Sequence, residues 1–138
     1  LLADIKKLFN NPKITYNYII EDKEQLLFID RSQIEQVLIN LLKNAEEACI
    51  ERTNPVIEIA TRYQQEKKLF SISITDNGHG ILPEVQDKIF VPFFTTKQRG
   101  SGIGLSLCKQ IMTLHGGSIS VKSEEGVGST FILKFFCK

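Results

Sequence analysis

The chain has 138 residues, 42% hydrophobic and 24% charged, the make-up of an ordinary globular domain with one hydrophobic core, which excludes a disordered or fibrous chain. Seventeen basic against sixteen acidic residues give a net charge of +1, so the cationic excess behind nonspecific nucleic-acid binding is missing and any phosphate must be held locally. Cys49, Cys108 and Cys137 are odd in number, far apart and without a CxxC pair, predicting neither a disulfide framework nor a zinc site and pointing to a reducing, cytoplasmic setting.

In chain order, Leu1, Ile5, Leu8 and Phe9 fall at helical spacing before Asn10, Asn11 and Pro12 break it, predicting a short opening helix. Ile14, Tyr16, Tyr18 and Ile20 alternate as a strand, with residues 26–29 as its partner across a polar turn at 21–24. Ser32 and Glu35 then form a capping-box pattern, and Ile34, Val37, Leu38, Leu41, Leu42 and Ala45 line one helix face until Asn54 and Pro55 intervene. Residues 56–63 and 69–75 read as an antiparallel hairpin. Phe70, Ile72 and Ile74 share a face, and the period of two places Asp76 on that same buried face, where a carboxylate needs a partner. A glycine-punctuated stretch follows from 78 to 104, with one short helix opening at Pro83. Irregular stretches beyond about 12 to 15 residues in compact domains are usually functional or disordered. Ile103, Leu107, Ile111 and Leu114 mark a last helix ended by Gly116 and Gly117, and strands at 118–122 and 130–135 close the chain. Hairpins alternate with helices, without an internal repeat or a succession of βαβ units. No apolar run approaches the roughly 18 residues of a membrane span, which predicts no membrane contact by this segment. The first residue, Leu1 instead of Met, predicts a piece of a longer chain.

Three features carry chemistry. Asp76-Asn77-Gly78-His79-Gly80 puts a carboxylate at a strand end beside glycines that let a ligand approach the backbone. An ionised Asp only accepts hydrogen bonds, so it suits the exocyclic amino group of adenine and opposes the carbonyl oxygen of guanine. Alone, the pentapeptide reads first as a turn whose Asp caps its own backbone. Gly100-Ser101-Gly102-Ile103-Gly104-Leu105 runs into the last helix, whose free N–H groups and positive dipole end form an anion site. It fits neither the Rossmann nor the Walker A pattern, and alone it could be a linker. Asn40 and Asn44, four apart on the flank of the apolar stripe, could offer amide oxygens to a magnesium ion or its waters, or could simply face solvent.

The order Gln36-x-x-x-Asn40-Leu41-x-x-Asn44-Ala45, Asp76-x-Gly78-x-Gly80, Phe90-x-Pro92-Phe93-Phe94, Gly100-x-Gly102-x-Gly104-Leu105 and Gly126-x-Gly128-Ser129-Thr130-Phe131 spans nearly the whole chain. It resembles the N, G1, F and G2 boxes and a third glycine motif of the catalytic ATP-binding domain of sensor histidine kinases. The resemblance implies an α+β fold over residues 1–138: a two-layer α/β sandwich (the Bergerat fold) with a mixed, mostly antiparallel sheet on about three helices. A short ATP lid would occupy residues 82–99. The implied cofactors are ATP and Mg2+. Asp76 would bind the adenine amino group, with Gly78 and Gly80 lining the base and Thr130 backing up the hydrogen bonding around Asp76. Asn44 would ligate magnesium, Asn40 would help place metal and phosphates, and Lys97 or Arg99 would reach the γ-phosphate. Gly100, Gly102 and Gly104 would wrap the phosphates, Ile81, Thr96, Ser101, Ile103 and Leu105 would complete the nucleotide site, and Phe90, Phe93 and Phe94 would anchor the lid.

The same resemblance implies a protein-histidine kinase in the full-length protein, which would be a homodimer, with membrane anchoring left to other segments. Its partners would be a histidine-bearing dimerisation domain of the same protein and a downstream response regulator. Two departures qualify this. Glu47 stands where many relatives carry a basic residue. The only histidines, His79 and His115, lack the context of a phosphoacceptor, so the chain is expected to bind ATP without labelling itself. A hydrolytic ATPase of the gyrase, mismatch-repair or chaperone kind is disfavoured because Asn40 replaces the Glu general base, and an amide takes no proton at neutral pH. A non-catalytic nucleotide-sensing module is the remaining alternative.

Overall fold

The computed structural model describes residues 2–20, 29–92 and 104–136. Its elements are α1 (Leu2–Leu8), β1 (Thr15–Ile19), α2 (Arg31–Cys49), β2 (Val56–Gln64), β3 (Leu69–Asp76), the single turn α3 (Pro83–Gln86), α4 (Gly104–Leu114), β4 (Ser118–Glu124) and β5 (Gly128–Phe136). The strands form one sheet in the order β1-β2-β3-β5-β4. β1 runs parallel to β2 and the other neighbours are antiparallel, which is the expected mixed sheet of an α+β sandwich.

β1 has a neighbour that the hairpin reading did not foresee, and the expected partner strand falls largely outside the described residues. Residues 26–28 lie outside the described residues and Ile29 is in no strand, whereas β1 lies beside β2 with Thr15 opposite Val56 and Ile19 opposite Ala60. Parallel neighbours need a long crossover, and α2 supplies it, so the fold contains one βαβ unit that turn-based reading misses.

Alternation along the strands decides which face meets the helices. Ile57 and Ile59 of β2, Ile72 and Ile74 of β3, and Phe131, Leu133 and Phe135 of β5 form an apolar floor. The complete predicted stripe of α2, from Ile34 to Ala45, lies buried on that floor with Cys108, Ile111 and Met112 of α4. In the first helix Ile5 and Phe9 are buried, but Leu8 faces outward.

The cap of α2 also differs. Asp30, not Ser32, is the N-cap: its Oδ1 accepts from the Gln33 N–H at 3.2 Å and from the Ser32 hydroxyl at 2.8 Å. Glu35 pairs instead with Arg31 at 3.2 Å. The Ser32 hydroxyl first, then the Gln33 N–H, holds the Asp30 carboxyl below its ordinary value. Its stabilisation is therefore present above the unfolded carboxylate value and lost as pH falls through the lowered folded one. Asp30→Ala should lower the thermal midpoint by a few degrees at neutral pH, and by less in acid, as followed by circular dichroism. The far end of α4 closes on the same cap: His115 Nδ1 donates to the Ile111 carbonyl at 2.8 Å, and its Nε2 accepts the Asp30 N–H at 3.0 Å. Gly116, at φ +70°, then ends the helix in the left-handed conformation that glycine favours.

Candidate functional site

β3 carries its inward alternation to the last residue, so Asp76 enters the apolar layer with 5% of its surface exposed. A carboxylate buried there must be met by donors. The Gly78 N–H donates to Asp76 Oδ1 at 2.9 Å, and the main-chain N–H of Ser129, its register partner on β5, also donates. Burial pushes the carboxyl above its usual range, while these two N–H groups and His79 pull it down. Asp76 therefore both caps its own turn and faces inward. Two accepted bonds leave capacity on a carboxylate with about four lone-pair sites.

The turn after Asp76 closes tightly on α2. A Cβ at Gly78 would lie 2.4 Å from the Ala48 carbonyl oxygen and 2.8 Å from Asp76 Oδ1, so only glycine permits this approach. Asn40, Asn44 and Ala48 recur every four residues along one flank of α2. Since Ala48 meets Gly78, this row leads from the Asp76 turn towards α4. At its far end Asn40 Nδ2 lies 3.7 Å from Cys108 Sγ of α4, while Asn40 Oδ1 accepts from Gln36 Nε2 at 3.4 Å. Both asparagines are half-buried. Gly104 opens α4, and Leu105 and Ile81 pack half-buried against the core. The Ile81 N–H donates to Ser123 Oγ at 2.7 Å.

Thr130 is not brought to Asp76. It pairs in register with Thr75, and the two hydroxyls meet at 3.0 Å on the sheet face away from the helices. Ser129 takes the predicted place: it is buried opposite Asp76, and its hydroxyl lies 2.8 Å from that of Ser123. The signal was available, since period two makes Ser129, not Thr130, share the face of Phe131 and Leu133.

Phe90 meets Phe131 edge-on with ring centroids 6.4 Å apart, and Lys109 Nζ lies 6.0 Å from the Phe90 ring. The expectations placed on Phe93, Phe94, Thr96, Lys97, Arg99, Gly100, Ser101, Gly102 and Ile103 lie outside the described residues. Burial pushes the Cys49 and Cys108 thiols up to about 11, so both stay protonated at neutral pH. Among the described residues no group of three or more His, Cys, Asp or Glu side chains could hold a metal ion. The donor set on offer is the neutral amide oxygens of the α2 row, which suits a hard cation that keeps waters and borrows phosphate oxygens.

The family model described as histidine kinase-, DNA gyrase B- and HSP90-like ATPase matches residues 29–137. The sensor histidine kinase ZraS of Escherichia coli (strain K12) is 38% identical over 124 residues, which make up 90% of this chain and 26% of ZraS. The signal transduction histidine-protein kinase AtoS of the same organism is 47% identical over 104 residues, 75% of this chain and 17% of AtoS. The chain thus spans only a minor part of these curated relatives. The solved catalytic domain of histidine kinase ThkA matches with a TM-score of 0.78 at 34% identity, covering 99% of this chain and 84% of that one. A structure of ThkA in complex with the response regulator protein TrrA matches with a TM-score of 0.75 at 31% identity, covering 99% of this chain and 37% of that one.

Proposed function

This chain belongs to the family of histidine kinase-, DNA gyrase B- and HSP90-like ATPases, and from that premise we propose that it presents Mg-ATP for transfer of the γ-phosphoryl group to a histidine on another domain of the same protein. The observation that carries the reading is Asp76, a carboxylate 5% exposed at a strand end, held by backbone N–H groups and with acceptor capacity left over. Adenine satisfies it with an amino group. Guanine would set a carbonyl against it, leaving two acceptors unpaired in an apolar layer.

From the base at Asp76, with Gly78, Gly80 and Ile81 beside it, the nucleotide runs along the α2 row. Its phosphates reach Asn44, Asn40 and the start of α4 at Gly104 and Leu105. Gly100, Ser101, Gly102, Ile103, Thr96 and Lys97 complete the site from the segment before α4. Asn44 would hold Mg2+ by its amide oxygen, and the chemistry the ion would supply is neutralisation of phosphate charge. Asn40 sets the position of the phosphates, and Lys97 or Arg99 reaches the γ-phosphate. Catalysis is then positioning and charge neutralisation, with no proton taken by Asn40.

The acceptor histidine comes from elsewhere, because neither His79, inside the glycine turn, nor His115, just before the helix-ending glycines, has the acidic neighbour of a phosphoacceptor. A dimerisation domain of the same protein supplies it, in a homodimer. A response regulator takes the phosphoryl group onward, the kind of partner named for ThkA. The domain works in the cytoplasm, where ATP is available. The test combines nucleotide titration of the chain with radiolabelled ATP transfer to an added histidine-bearing domain. Binding together with transfer only when that domain is present is the expected result. Self-labelling, or rapid hydrolysis by the chain alone, would overturn it.

A further inference from the structure

We propose that Arg52, just beyond the end of α2, is a positioning residue for adenine selectivity, because its guanidinium holds the peptide unit that orients Asp76. The inference rests on Asp76 reading the base. Arg52 is exposed, yet its Nε donates to the Asn77 carbonyl at 3.0 Å, and its Nη2 donates to the Gly78 carbonyl at 2.8 Å and the Gly126 carbonyl at 2.7 Å. The Asn77 C=O and the Gly78 N–H are opposite ends of one planar trans peptide. The N–H end donates to Asp76 Oδ1 and the C=O end is gripped by Arg52, so rotating that plane breaks both bonds together.

The rest of the turn is tied down around the same guanidinium. The Gly126 N–H donates to the His79 carbonyl at 2.7 Å, so the β4–β5 turn and the Asp76 turn form one unit that Arg52 bridges. On the other side, Asn77 Oδ1 accepts the Val56 N–H at 2.9 Å and Asn77 Nδ2 donates to the Asn54 carbonyl at 2.7 Å. A planar fork with donors at fixed angles can serve three converging carbonyls, which the single ammonium of lysine cannot match in geometry.

The test measures ATP and GTP dissociation constants of the 138-residue chain by calorimetry, with hydrogen exchange at the Gly78 amide as a second readout. Wild type should prefer ATP. Arg52→Ala should reduce that preference about tenfold, the order expected from losing a charge-assisted hydrogen bond. It should also speed exchange at Gly78 while amides in the middle of α2 stay protected. If Arg52→Ala does not fold, Arg52→Lys replaces it and should keep only part of the preference. A folded variant with wild-type preference and wild-type protection at Gly78 overturns the clamp alone. A wild-type chain that does not prefer ATP overturns the reading of Asp76, and with it the part assigned to Arg52.

Discussion

Asp76→Ala is expected to weaken ATP binding by between about tenfold and a hundredfold, because it removes an ionised acceptor whose hydrogen bonds contribute about 1.5–3 kcal/mol. Asp76→Asn separates binding from folding. It keeps an oxygen for the Gly78 N–H, but it cannot ionise and offers the base an amide in place of a charge. Burial raises the Asp76 carboxyl in the folded state, so the folded chain takes up a proton at a higher pH than the unfolded chain. Stability should then fall as pH rises from the unfolded to the folded value, and the charge should stay destabilising above both. At pH 7 the relief of a buried charge should offset the weaker acceptor that the amide offers the Gly78 and Ser129 N–H groups, so the Asn variant should melt close to wild type while binding ATP more weakly. Calorimetric titration beside thermal melting checks both halves. A variant that binds like wild type would remove Asp76 from the site, and one that melts well below it would make the carboxylate structural.

Much of this arrangement was legible in the chain, and the limits follow from what sequence periodicity can encode. The stripe of α2 and the inward run from Phe70 to Asp76 were readable because burial imposes a period of 3.6 on one and of two on the other. The parallel pairing of β1 with β2 was not readable, since a pair joined across a helix leaves no turn signature. Ser129 was readable and was passed over for Thr130, although Phe131 and Leu133 fix the phase of β5. Ser32 looked like the cap because a hydroxyl three residues before a Glu fits the pattern, yet Asp30 sat two residues earlier with the stronger acceptor. Arg52 left no local trace. An arginine after a helix is ordinarily solvated, and only the tertiary approach of three carbonyls gives it a role.

Gly128→Ala should cost several kcal/mol of stability and most of the nucleotide affinity, whereas Gly126→Ala, two residues away, should cost about 1 kcal/mol. Both glycines have positive φ, +147° at Gly128 and +80° at Gly126. The difference lies in their surroundings. A Cβ at Gly126 meets no heavy atom within 4 Å among the described residues, so strain in φ is the whole cost. A Cβ at Gly128 would lie 2.1 Å from the Asp76 carbonyl oxygen and 3.1 Å from the Asn77 Cα. Both are backbone atoms, so relief requires β3 and β5 to separate where the Asp76–Ser129 register brings the carboxylate to its N–H donor. Conformational strain and steric overlap then add, about 1–3 kcal/mol from each. Urea unfolding of the two variants measures the stability gap, and ATP titration of whatever folds measures the displacement of Asp76. Equal costs at the two positions would mean that the strands can part there without loss. Asp76 would then not owe its placement to the close crossing of β5, and the second glycine of the pair would be needed for its turn alone.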